Sequence, residues 1–239
     1  MAHISRKELR KDEIREGIVH GAEAALAHQK QIWIYGGVVL LIVMAVVGWR
    51  FYSQRQTVAA AAAFDEANKV FNARIRMAGE PEQPGEITYI EEKNKFADAA
   101  TKFGEVAEKY SSTRPGQMAQ YYAGLSYERV ANYEEALKWF GKVQSGGDAE
   151  LASLARLRTA RVYEMTGKGD EAVKAYQQLI SSPTTMVPKP LVMLALADHY
   201  IASNPAEAEK LYNQIRQEFP ESKMAQEAEE RLEALPPRT

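Results

Sequence analysis

Ala136, Ala172 and Ala208 stand 36 residues apart in succession. Four positions after each comes an aromatic (Phe140, Tyr176, Tyr212), and three further on an aliphatic (Val143, Leu179, Ile215). A second triple runs ahead of the first: Gly124 with Tyr127, Ala160 with Tyr163, and Ala197 with Tyr200. Steps of three and four keep side chains on one face of a helix. Two such faces in each period describe a helical hairpin. Small residues stand where its two helices cross closely, and rings fill the wedge before the next hairpin. Three units in phase constrain the chain to a stack of hairpins with one continuous core.

Glycine and proline punctuate this pattern at 79–85, 114–116, 145–148 and 181–190. The spacing between them predicts helix pairs at about 117–144, 152–181 and 190–219, and a last helix at about 222–235 that caps the stack through Ala225, Ala228, Leu232 and Leu235. Ahead of them, 59–77 and 90–110 read as a degenerate first pair around a Pro/Gly loop, with Ala99, Phe103 and Val106 keeping the second-helix pattern. In the 181–190 loop, Met186 and Val187 are expected to tuck onto the stack, the alternative being that they dock on a partner. Strand-like alternation is missing, so the expected fold is all-α with no strands.

Residues 32–49 contain no charged side chain. As a helix this run covers roughly 27 Å, close to the hydrocarbon thickness of a bilayer. Trp33 and Tyr35 at one end, and Trp49, Arg50, Phe51 and Tyr52 at the other, suit the headgroup level and mark the membrane anchor. A core helix is seldom apolar on every face for this length. A cleaved signal would have a shorter lead and no Arg50 and Arg55 before its small-residue site. Arg6, Lys7, Arg10, Lys11, Arg15 and Lys30 precede the run, against Arg50, Arg55 and Lys69 after it. That bias predicts a cytoplasmic N-terminus with the repeats on the far side. In the lead, Ser5 and Glu8 fit a capping box, and Leu9, Ile14, Ile18, Ala22 and Leu26 recur at helical spacing. The expected organisation is a lead at 1–30, a membrane helix at 31–52, the degenerate pair at 53–115, and three repeats with a capping helix at 116–239.

Composition narrows the function. Thirty basic and 32 acidic side chains leave a formal charge of −2, which gives nucleic acid no electrostatic footing. Cysteine is absent and there are only 4 histidines, so thiol nucleophiles and Cys-ligated metals are excluded. No phosphate loop, His pair at i, i+4 or calcium-loop spacing occurs. His199 and Asp198 are neighbours on a helix and point apart, so they form no dyad. Neither a cofactor, a small-molecule substrate nor an enzyme is expected.

The small-x-x-Tyr step followed by Ala-x-x-x-aromatic-x-x-aliphatic resembles the tetratricopeptide repeat. Gly167 matches the glycine of its inter-helix turn, and Pro220 after Phe219 matches the proline that ends its second helix. The departures are a period of 36 where the family's is about 34, a missing large aromatic early in the first helix, and a third turn shortened by one residue at Asn204 and Pro205. The resemblance implies an all-α solenoid of helical hairpins behind an N-terminal transmembrane helix. It also implies binding of protein partners on a concave face lined by the first helices. Projected onto this chain, that face holds Tyr121, Leu125, Glu128 and Arg129, then Leu157, Arg161 and Glu164, then Leu194, Asp198 and Ile201. Glu128–Arg129 and Arg161–Glu164 could equally be ordinary surface charges. The whole layout, with Gly-Trp-Arg-Phe-Tyr at 48–52 and an alanine-rich helix after it, resembles the bacterial family of ancillary subunits of the SecYEG translocon. That narrower resemblance implies a single-pass protein of the bacterial cytoplasmic (inner) membrane, with periplasmic repeats that meet SecYEG and periplasmic chaperones. The same repeat type is shared by periplasmic coordinators, which implies an alternative: an envelope organiser for cell division or outer-membrane assembly.

Overall fold

The computed structural model describes residues 29–81 and 83–235. The chain divides after Arg55 into two compact units, and one helix, α1 (Gln29–Phe71), contributes to both. The predicted capping box at Ser5 and Glu8 and the helical spacing up to Leu26 lie outside the described residues.

In the first unit α1 carries the uncharged run. Its large apolar side chains from Val38 to Val47 are 49 to 63% exposed. The most apolar 18-residue window has a mean hydropathy of 2.0 and none of it is buried. A helix satisfies its own backbone groups, so nothing polar need be left bare in an apolar medium. α1 is therefore one helix long and apolar enough to cross a membrane.

The second unit starts on the last turns of α1, where Ala60, Ala67 and Val70 are buried. It continues through α2 (Glu92–Lys109), α3 (Arg114–Arg129), α4 (Tyr133–Gln144), α5 (Ala149–Met165), α6 (Gly169–Ser181), α7 (Lys189–Tyr200), α8 (Pro205–Glu218) and α9 (Lys223–Glu233). Each helix from α2 onward packs on the next. Ala136, Ala172 and Ala208 are fully buried, and the aromatic and aliphatic that follow each are no more than 3% exposed. Gly124 sits where α3 crosses α4 so closely that an added Cβ would lie 2.6 Å from Phe140 Cε1. The fold is the all-α stack predicted from the repeats.

Polar residues at the helix starts supply the missing acceptors for free N–H groups. Thr113, Asn132, Asp148, Asn204 and Ser222 each accept a backbone N–H with the side chain, opening α3, α4, α5, α8 and α9. Between α5 and α6 the chain reverses through Gly167 at φ +72°, a conformation that glycine adopts without strain. The same turn one repeat earlier places Ala131 at φ +58°.

One expectation fails: the described residues do contain strands. β1 (Arg74–Ile75) and β2 (Thr88–Tyr89) form a two-residue parallel ladder inside the loop between α1 and α2. Arg74 pins that loop with ion pairs to Glu80 at 2.8 Å and Glu86 at 3.1 Å. The Tyr89 hydroxyl donates to Asp98 of α2 at 2.9 Å. The ladder also explains why α1 stops at Phe71 and does not run on to 77. A ladder two residues long has no period to detect.

The 181–190 loop is only partly as expected. Val187 is fully buried, but Met186 is 51% exposed because Glu150 holds the backbone N–H groups of Thr185 and Met186 and turns the side chain out.

Candidate protein-interaction face

The first helices of successive hairpins, α3, α5 and α7, are followed by α9, which packs on both α7 and α8. α9 stands where the first helix of a further repeat would stand. Charged side chains join each of these helices to the next. Glu128 of α3 pairs with Arg158 of α5 at 3.6 Å. Glu164 of α5 meets His199 Nδ1 of α7 at 3.0 Å. Asp198 of α7 pairs with Arg231 of α9 at 3.0 Å. At the near end of the stack, Glu92 of α2 pairs with Arg129 of α3. In these four pairs the acid lies on the earlier helix and the base on the later one, whereas Arg114 of α3 pairs in the opposite sense with Asp148 at the start of α5.

Second-helix rings reach the same acids. Tyr212 of α8 donates its hydroxyl to Asp198 at 2.6 Å. Tyr176 of α6 lies near Glu164, and burial together with that carboxylate pushes its hydroxyl well above the ordinary tyrosine value. The matching residue in the first repeat is Phe140, which has no hydroxyl. There Glu128 Oε2 is buried without a hydrogen-bond partner. Burial raises the Glu128 carboxyl above its ordinary 4.5, and Arg158, Arg161 and Arg129 only partly oppose the rise.

The residues predicted to line a binding face take several different positions. Tyr121 and Leu125 are half-buried against the cluster containing Phe140, and Leu157 is half-buried beside α7. Leu194 was expected to be open, but it is 5% exposed. The reason is that α7 packs apolar side chains on several sides, with α6, α8 and α9 around it. Glu128, Glu164 and Asp198 are engaged in the ladder. Arg129 is turned to Glu92 and lies over the Phe96 ring at 4.6 Å. Glu128–Arg129 and Arg161–Glu164 are not pairs of each other. Arg161 and Ile201 remain exposed, and Met165, not anticipated from sequence, is 58% exposed one helical turn after Arg161. The pairings of Arg158, His199 and Arg231 are not visible in the sequence, because they join residues that only packing brings together. Among the described residues, no group of three His, Asp and Glu side chains is arranged to hold a metal ion.

The anchor residues Trp33, Tyr35, Trp49, Phe51 and Tyr52 are 60 to 74% exposed along α1, and Arg50 is exposed among them. Arg55 lies over the Phe51 ring at 5.5 Å.

The chain matches a family described as a tetratricopeptide repeat-like domain over residues 27–184. The matched stretch runs from the start of α1 to the loop after α6. The hairpin with the shortened turn at Asn204 falls beyond it. Among curated proteins, none matches the chain.

Proposed function

Because this chain belongs to the tetratricopeptide repeat-like family, whose repeats serve as scaffolds for protein–protein interaction, we propose that it is a membrane-tethered scaffold holding protein partners on the face of α3, α5 and α7. The uncovered apolar length of α1 is the observation that carries the tether. Exposed Arg161, Met165 and Ile201 offer a partner mixed apolar and charged contact, and the laddered acids hold the helices that present them. The excess of Lys and Arg before the apolar run supports a cytoplasmic N-terminus, which puts the repeats outside the cytoplasmic membrane of a bacterium.

In that location the partners are the SecYEG translocon and the periplasmic chaperones that receive emerging chains. The Gly-Trp-Arg-Phe-Tyr run at 48–52 and the alanine-rich helix after it support this assignment. Crosslinking in intact membranes tests it: translocon subunits and secreted chains should be enriched well above bulk membrane protein. Equal recovery of both would end the translocon assignment. Depletion that impairs constriction or outer-membrane integrity, without delaying secretion, would instead establish the envelope-organiser reading. Protease treatment of right-side-out vesicles checks the sidedness, since the repeats must be digested there without lysis.

A further inference from the structure

In a stack of hairpins each unit touches only its neighbours, so the seam with the least contact is the one that opens first. α5 and α7 approach less closely than α3 and α5 or α7 and α9. α6 also meets α7 less extensively than α4 meets α5 or α8 meets α9. The second and third hairpins are therefore the pair held least by helix-on-helix packing. The chain from Ser182 to Pro188 spans their seam: it leaves α6, runs past the first turn of α5 and enters α7. We propose that these residues are a buckle. Fastened to α5, they make the second and third hairpins one cooperative body; unfastened, they let α7, α8 and α9 open from α5 and α6.

The fastening engages backbone as well as side chains. Glu150, in the first turn of α5, accepts the Thr185 N–H on Oε1 at 3.2 Å and the Met186 N–H on Oε2 at 2.8 Å. Three residues on, the buried Ser153 shares a hydrogen bond of 2.8 Å with the Thr184 hydroxyl. The buckle is closed on itself as well: the Thr184 N–H donates to the Val187 carbonyl, and the Val187 N–H to Thr184 Oγ1, both at 3.1 Å. Val187 is fully buried in the core shared by Ala160 of α5, Ala172 of α6 and Met193 of α7. Pro188 is already the cap of α7, so no slack separates the fastened residues from that helix. The neighbouring seams are tied differently. In the loop before α5, Ser145 and Gly146 bond back onto α4, and Asp148 pairs with the exposed Arg114. At the seam before α9, the exposed Arg216 pairs with Glu229 at 3.0 Å. Exposed ion pairs of this kind contribute little. A carboxylate accepting two backbone N–H groups makes charge-assisted bonds, each about twice as strong as a neutral one.

Hydrogen exchange of the full-length chain in detergent micelles, at one fixed pH, tests the buckle with Glu150→Gln beside wild type. Glutamine presents an NH2 group where one of the two backbone N–H groups needs an acceptor. Amides of α7, α8 and α9 should then exchange about tenfold faster, as expected when hydrogen bonds to a charged group are lost. Those of α2, α3 and α4 should be unchanged. Unaltered exchange in α7 to α9, with or without fraying at Thr185 and Met186, overturns the proposal. So does an equal loss of protection in every helix, because the stack then opens as one body. Should Glu150→Gln fail to fold, Thr184→Val decides by the same pattern, since it removes the bonds to Ser153 and to the Val187 N–H. Arg114→Gln, which breaks the ion pair with Asp148, should leave every helix as in wild type. If it frees the helices from α5 onward to the same degree, the second seam is not set apart and the proposal fails.

Discussion

The Tyr212 hydroxyl reaches Asp198 at 2.6 Å, and in the first repeat the corresponding ring, Phe140, leaves the buried Glu128 Oε2 without a donor. Phe140 follows Glu128 by the same 12 positions by which Tyr176 follows Glu164. Phe140→Tyr should supply the missing hydrogen bond and stabilise the fold by about 1 kcal/mol. Tyr212→Phe should cost about 1–2 kcal/mol, because Asp198 loses a donor in a partly buried place. Urea unfolding of the two variants against wild type measures both, with opposite signs expected.

Ala131 occupies at φ +58° the turn position that Gly167 fills in the next repeat. A Cβ in the left-handed region costs about 1–2 kcal/mol, while glycine returns part of that gain as freedom in the unfolded chain. Ala131→Gly should therefore raise the thermal midpoint, and Gly167→Ala should lower it. Calorimetry on the pair gives the comparison.

Gly124 lies beneath the Phe140 ring, and a methyl group there would come within 2.6 Å of Cε1. Phe140 is fully buried, so its ring has nowhere open to retreat. Gly124→Ala should destabilise the stack by about 1–3 kcal/mol through overpacking, despite the better helix propensity of alanine. A stability equal to wild type would mean that the crossing is looser than described.

Glu128 sets a pH dependence of its own. Burial raises its carboxyl above the ordinary 4.5. A raised acid contributes its stability below the unfolded value and loses it as pH rises through the folded one. Glu128→Gln, neutral at every pH, should be more stable than wild type at pH 7, with the difference closing toward pH 4. Unfolding midpoints of the two proteins across that range check the sign.

An arginine in the middle of the apolar run is expensive in lipid, about 2.5–3.5 kcal/mol by insertion scales. Leu40→Arg with Val43→Arg should move the chain from the membrane pellet to the alkaline-extractable fraction. Retention of the double variant in the pellet would argue against a span.

The stack was legible because its signal is periodic. Ala136, Ala172 and Ala208 repeat a packing requirement at a fixed interval, and the same requirement buries all three. The ladder was not legible, because a rung such as Glu128 to Arg158 joins residues 30 apart whose meeting depends on how two hairpins nest. Leu194 was misplaced for a related reason: projecting a repeat assumes an open neighbour, whereas the last repeat is covered by α9. The Arg74–Tyr89 ladder was hidden by its brevity.

The one-way order of the rungs bears on how such an array can lengthen. α3 offers Arg129 backward and Glu128 forward, α5 offers Arg158 and Glu164, and α7 offers His199 and Asp198. A tandem copy of any hairpin, inserted in the same direction, would meet an acid before it and a base after it without further substitution. An inverted copy would set like charges against each other at both seams. Growth by in-frame duplication is therefore electrostatically permitted along this row of pairs.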